Sequence, residues 1–219
     1  SSSIEAANIV AAECSSEISE VIAIKANVAN DEDCIHSVET AIKKWGRVDA
    51  VVNNAGTTKF VWNHGDLEGI DAEDFQNIYS VNVIGPFQMV RASKMHLLKS
   101  DNPNIINVSS IGGLKGIGSS IAYAASKGAL NSMTLSMARN LGPIKVNAVC
   151  PGFIEGEWLR NGMGEERFEA TKMHIENTSP LGKTCSPESI AEVIYNLIVA
   201  SELVTGQLIA IDGGVSLNL

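Results

Sequence analysis

This 219-residue chain is poor in several features, and each scarcity removes a class of function. Aromatic residues make up only 5% of it, so small and aliphatic side chains must carry the core, a composition that suits close packing of helices on a sheet. Cations are outnumbered. Against 25 Asp and Glu stand 16 Lys and Arg, a net charge of −9, and a surface of that sign repels a phosphodiester backbone. Nucleic acid is therefore not an expected partner. The four cysteines, Cys14, Cys34, Cys150 and Cys185, fall in no CxxC or Cys/His spacing, so they read as free thiols of a reducing compartment, the cytoplasm, with no metal site. No apolar run nears the ~20 residues of a membrane-spanning helix, so no membrane association is expected.

What is present points to a globular protein. Hydrophobic residues make up 45% and charged residues 19%, and the length suits one domain over residues 1–219. Short β-rich runs alternate with helical ones. Val21–Ala26 reads as a strand. Asn30 and Asp31 offer a helix cap, Trp45 ends that helix and Gly46 stops it. Val48–Val52 reads as a second strand, closed by Asn53-Asn54-Ala55-Gly56. A long helical stretch follows from Ala72 to Leu98, with a break expected near Gly85-Pro86. Asn104–Val108 is a strand, Ser120–Leu141 a helix, and Lys145–Val149 a strand ended by Pro151-Gly152. Phe153 to Pro180 departs from the alternation and reads as an excursion. Pro187–Ala200 is a helix and Gln207–Ile211 a last strand. Strands separated by helices imply a parallel sheet covered on both faces, with ligands bound at the carboxyl ends of its strands.

Polar residues with chemical potential cluster after those strand ends. Tyr123 and Lys127 lie four apart on one predicted helix and share a face. An ammonium beside a phenol stabilises the phenolate, which makes the pair a sensible general acid/base for a carbonyl or an alcohol. Ser110 follows a strand and could donate to a substrate oxygen on which charge develops; a turn or cap serine is the plainer alternative. Asn54-Ala55-Gly56 reads either as a tight turn or as a close backbone approach to a planar ligand. Asn82 is a polar residue inside an apolar helix and needs a buried partner or a task.

Taken together and in order, Asn53-Asn54-Ala55-Gly56, Asn82, Ser110, Tyr123-x-x-x-Lys127, Pro151-Gly152 and Asp212-Gly213-Gly214 resemble the short-chain dehydrogenase/reductase family. Trp45-Gly46-Arg47-Val48-Asp49 and Val146-Asn147-Ala148-Val149 add to the likeness, which is strongest to reductases of the 3-oxoacyl-carrier-protein type. The resemblance implies a nicotinamide-dependent oxidoreductase acting on a small ketone or secondary alcohol. Tyr123 would protonate the carbonyl oxygen. Lys127 would lower the tyrosine pKa and hold the nicotinamide ribose, Ser110 would orient the carbonyl, and Asn82 would hold a water of the proton relay. Cofactor contacts would come from Asn27, Val28, Asn54, Ala55, Gly56, Tyr123, Lys127, Pro151, Gly152 and Ile154. Residues 153–180 would form a substrate lid, in which Trp158, Leu159, Met163, Phe168 and Met173 either pack or touch substrate.

The expected fold is a three-layer, Rossmann-like, doubly wound parallel sheet without the family's first two strands and first helix. In the family those strands stand between Val21–Ala26 and Val48–Val52, so a gap of ~14 Å is expected there at ~4.8 Å per spacing. Asn27 and Gly156 depart from the family's usual Asp and Thr. Ser1-Ser2-Ser3 carry no acid where the second strand would have ended, which favours NADP(H) over NAD(H). The helices Ala72–Leu98 and Ser120–Leu141, with Met89, Met133 and Met137, suggest a homo-oligomer, a tetramer or a dimer. A non-catalytic scaffold of the same fold is the alternative reading.

Overall fold

The computed structural model describes residues 4–218. Its centre is a four-stranded sheet: β1 (Ala50–Asn53), β2 (Asn104–Val108), β3 (Lys145–Pro151) and β4 (Leu208–Ile211), in that spatial order and all parallel. Parallel neighbours need crossovers, and helices supply each of them. Before the sheet come α1 (Ile4–Cys14) and α2 (Asp31–Trp45). Between β1 and β2 run α3 (Ala72–Tyr79), a π-helical turn (Ser80–Ile84) and α4 (Gly85–Leu97). The short α5 (Gly112–Lys115) and the long α6 (Ile121–Asn140) join β2 to β3. Finally α7 (Glu157–Met163), α8 (Glu165–Thr178) and α9 (Pro187–Val199) precede β4.

Alternation along the strands divides the core between two faces. Val51, Ile105 and Val146 meet Val90 and Leu97 of α4, with Met137 and Leu141 behind them. On the other face Ile106 and Val149 meet Ile190 and Leu197 of α9. Helices thus cover both sides of the sheet, the three-layer arrangement that the alternation of elements predicts.

Local chemistry sets the helix ends. Asn30 Oδ1 accepts from Glu32 N at 2.9 Å, and Gly46, at φ 74°, closes α2 in the left-handed conformation that glycine adopts freely. The expected break near Gly85-Pro86 does not occur. Helix continues through a widened turn, and Pro86 sits in the first turn of α4, where a missing N–H does little harm. Gly85 is required there for another reason, because a Cβ would lie 2.8 Å from Val28 Cγ2.

The amino-terminal side differs from the sequence reading in two ways. The sequence does not announce α1, of which only Ala11 is buried. Val21–Ala26 is no strand: among the described residues it joins no ladder, and without ladder partners a β-rich run has nothing to fix it as one. It does not pair with β1. A hollow of about 210 Å³ lies there, with Ile24, Ala26 and Val28 on one side and Val52, Asn53 and Ala55 on the other. Val52 is accordingly 42% exposed at the open edge of the sheet. Ser1–Ser3, which carried the expectation about cofactor choice, lie outside the described residues. No helix among the described residues is long and apolar enough to cross a membrane.

The excursion after β3 is pinned at its base. Cys185 N donates to Phe153 O and Glu155 N donates to Cys185 O, both at 2.9 Å, so α7 and α8 leave the sheet and return at one point.

Candidate active site

Buried amides hold the strand ends in register. Asn53 Nδ2 donates to Asn107 Oδ1 at 2.8 Å, and Asn107 Nδ2 donates to Thr134 Oγ1 of α6 at 2.9 Å. Satisfied polar groups of this kind fix one arrangement of a core. Just beyond β2 the chain turns. Gly112 N donates to Ser110 Oγ at 3.0 Å, and a Cβ on Gly112 would stand 2.5 Å from Ile117 O. The turn that presents Ser110 therefore needs glycine.

Helix α6 presents Tyr123 and Lys127. Ser120 caps it by accepting from Tyr123 N at 3.2 Å. Its distance from the Ser110 turn is set by Gly113, where a Cβ would fall 2.5 Å from the Lys127 carbonyl carbon. With backbone against backbone, Ser110 and Tyr123 come to line the same cavity. Burial pushes the Tyr123 hydroxyl above its ordinary pKa, and the bond with Ser110 pulls it partly back. Lys127 is only 4% exposed, and that burial pushes its pKa down to about 8. Its Nζ donates to Val108 O at 2.8 Å and stands 5.6 Å from the Tyr123 ring centroid.

Asn82 occupies the π-helical turn and is 1% exposed. Its Oδ1 accepts from Thr57 N at 2.8 Å, while Nδ2 donates to Thr57 O at 3.0 Å and to Ser126 Oγ at 2.9 Å. It clasps the chain that leaves Gly56, which is the buried partner that a polar residue in an apolar helix requires. Widened turns of this type recur at functional sites.

Ser110, Tyr123 and Lys127 all line a cavity of about 750 Å³ at the carboxyl ends of the strands. Of the expected cofactor contacts, Asn54, Gly56, Pro151, Gly152 and Ile154 line it as well. Val28 and Ala55 line the smaller hollow beside β1, which Asn54 also reaches. Asn27 lines neither; its Oδ1 accepts from Ala29 N at 3.1 Å within its own turn. Gly152 must remain bare, since a Cβ would lie 2.8 Å from Asp212 Cβ. At Gly156 a Cβ would meet nothing within 4 Å.

The excursion supplies the outer wall. Trp158, Leu159 and Met163 line the cavity. Phe168 does not; it is fully buried, with its ring 4.9 Å from that of Phe153 and under the Arg160 guanidinium. Met173 points to solvent at 63% exposure. Sequence reasoning missed Trp62 and a polar stripe on α8, Arg167, Thr171, His174 and Thr178, all of which line the cavity. Their spacing of four, three and four residues marks one helix face and could have revealed the stripe.

A nucleotide suits this floor. Lys127 has three N–H donors and gives one to Val108, bare backbone passes at Gly56 and Gly152, and no acidic side chain lines the cavity. The likeness to known proteins agrees. Residues 3–216 match the family described as enoyl-(acyl carrier protein) reductase. The 3-oxoacyl-[acyl-carrier-protein] reductase FabG of Thermotoga maritima is 37% identical over 191 residues, 86% of this chain and 74% of that protein. ElxO, solved with NADP bound, superposes with a TM-score of 0.78 at 30% identity, covering 90% of this chain and 78% of that one. An NAD+-bound xylitol dehydrogenase gives 0.78 at 25% identity, over 89% and 79%. A tyrosine, a serine and a buried lysine on the wall of one cavity, at the strand ends of a parallel sheet with these relatives, leave one conclusion: the chain belongs to the short-chain dehydrogenase/reductases and is an oxidoreductase that works with a nicotinamide nucleotide.

Proposed function

We propose that the chain interconverts a small ketone and the corresponding secondary alcohol with NADP(H) or NAD(H), and that Asn82, Ser110, Tyr123 and Lys127 serve the reaction. The observation that carries this reading is the convergence of Ser110, Tyr123 and Lys127 on the wall of the 750 Å³ cavity at the carboxyl ends of the strands. Lys127, Asn54, Gly56, Pro151, Gly152 and Ile154 would hold the nucleotide, which when bound supplies or accepts the hydride at its nicotinamide ring. In the reductive direction Ser110 Oγ and Tyr123 Oη both donate to the carbonyl oxygen. As the carbonyl carbon gains its hydride, the Tyr123 proton moves to that oxygen. The charge left on Tyr123 Oη is then opposed by the Lys127 ammonium and by Ser110. Asn82 keeps the chain at Thr57 in place beside Lys127. In this reading residues 153–180 act as the substrate lid.

The name of the Thermotoga relative makes a 3-oxoacyl compound one candidate substrate. The loop Ser100–Asn104 carries Asp101 and has only Lys99 beside it as a basic landing for an acidic carrier protein, so a free small molecule is favoured. The lean towards NADP(H) rests on Ser1–Ser3 alone. Free, buried Cys34, Cys150 and Cys185 fit a reducing compartment such as the cytoplasm. A homo-oligomer, tetramer or dimer, is also proposed, with a changed set of residues. Met89 and Met137 pack on the core, and Phe87, Met95, Ile121 and Leu135 are the exposed large apolar groups of α4 and α6.

The test is a panel of ketones with NADPH and with NADH, followed by loss of the reduced nucleotide. Tyr123→Phe should lower kcat by about 10²–10⁴-fold, the usual worth of a positioned general acid, and leave nucleotide binding nearly intact. Near-normal turnover in that variant refutes the mechanism.

A further inference from the structure

The molecule carries 25 acidic side chains, yet none lines the cavity. Its lining has two side chains that are cationic at neutral pH, Lys127 on the floor and Arg167 on α8. Every other cation of the excursion between β3 and the Cys185 bridge, apart from Lys183, is matched by acids. Arg160 pairs with Glu165 and Glu169, and Lys172 with Glu155 at 2.5 Å. Arg167 makes no ion pair among the described residues. Its guanidinium instead lies 4.7 Å over the ring of Trp62, which itself lines the cavity. Stacking occupies the face of a guanidinium and leaves its in-plane N–H fork free, the geometry that takes a carboxylate in two parallel hydrogen bonds. Thr171, His174 and Thr178 continue the polar stripe along the same face of α8. Trp158, Leu159, Met163 and Ile175 give the cavity an apolar lining beside it.

We infer that the substrate is a ketone or alcohol bearing a carboxylate on a short apolar spacer, the carboxylate held by Arg167 and the carbonyl by Ser110 and Tyr123. This rests on the oxidoreductase reading above. The charge of the lining excludes acidic side chains from the path of such a substrate, and the stack on Trp62 lowers the ordering cost of the arginine before the substrate arrives.

Levulinate and its longer homologues, each paired with its methyl ester, test the inference on the whole chain with saturating nucleotide. The acids should exceed their esters in kcat/KM by about 10- to 100-fold, chiefly through KM, the range expected of a charge-assisted bidentate contact. Arg167→Met keeps an apolar stem on Trp62 and should collapse the acid-to-ester ratio towards one, while Arg167→Lys should restore part of it. Acids and esters used alike by the unaltered protein, or an unchanged ratio in Arg167→Met, overturn the inference. Calorimetry of levulinate binding to Tyr123→Phe separates this from the reading beneath it. If no ketone is reduced but levulinate binds and Arg167→Met abolishes that binding, the anion site stands and the catalytic reading falls. If ketones are reduced but levulinate and its ester bind equally, the catalytic reading stands and the anion site falls.

Discussion

Asn82→Ala separates two tasks that one residue has been given, a clasp on the chain and a part in proton transfer. The side chain is 1% exposed and makes three hydrogen bonds, two of them to the N–H and C=O of Thr57. Alanine removes all three and puts nothing in their place. Thr57 is partly buried, so its two backbone groups are left with poor access to water. A buried polar group deprived of its partner costs about 1–3 kcal/mol, which puts the substitution at roughly 2–5 kcal/mol. For a chain of this length each kcal/mol moves the melting temperature by about 2–4 °C, so a fall of roughly 4–20 °C is expected. Thermal unfolding followed by circular dichroism, with and without nucleotide, reads it directly. Saturating nucleotide should recover part of the loss by binding the folded state alone. A variant that melts within about 2 °C of the parent while losing turnover refutes the clasp argument and makes Asn82 a group of the proton path only.

Lys127, held down to about 8 by burial, is charged below that pH and neutral above it. Nucleotide affinity should therefore be level up to about pH 8 and fall roughly tenfold per unit beyond it, and a flat profile in a fluorescence titration contradicts the assignment. The sign for stability is opposite: the folded pKa lies below the ordinary lysine value of 10.5, so the free protein should gain stability as pH rises from about 8 towards 10.5, when the buried ammonium is relieved of its charge. At Gly162 a Cβ would fall 2.0 Å from Phe60 Cζ, and Phe60 lies 5.2 Å from Trp62 and 5.6 Å from Trp158, ring to ring. Gly162→Ala should expel Phe60, shift the tryptophan emission and raise the ketone KM several-fold; unchanged emission would show that the lid does not rest on this contact. Light scattering should give a mass of two or four chains, and Phe87→Asp with Leu135→Asp should lower it; a monomer mass for the unaltered protein at micromolar concentration sinks the proposal.

Local rules made much of the protein legible. Asn30 and Gly46 mark the ends of α2 because a cap and a left-handed stop act through bonds two to four residues long. Tyr123 and Lys127 share a face because helix geometry puts residues four apart together wherever the helix lies. Strands β2 and β3 showed themselves as short, mostly apolar runs, since a strand covered on both faces is largely apolar. Ser110, Asn54 and Gly152 were readable from their places after such runs. Reading broke down wherever a residue takes its meaning from a partner distant in the chain. Val21–Ala26 has the composition of a strand, but a strand exists only through its ladder. Met89 and Met137 read as interface candidates and pack, partly buried, against the core, because the side of a helix that meets the sheet is decided by the sheet. The partners of Asn82 lie 25 and 44 residues away. The amino-acid sequence by itself determined the alternating elements, the order of the motifs and the chemistry they carry, all functions of near neighbours. The tertiary structure alone decided that Ser110 moderates the Tyr123 hydroxyl, that burial depresses Lys127 and that Trp62 holds Arg167 at the cavity, because desolvation and contact between distant segments arise only when the chain closes on itself.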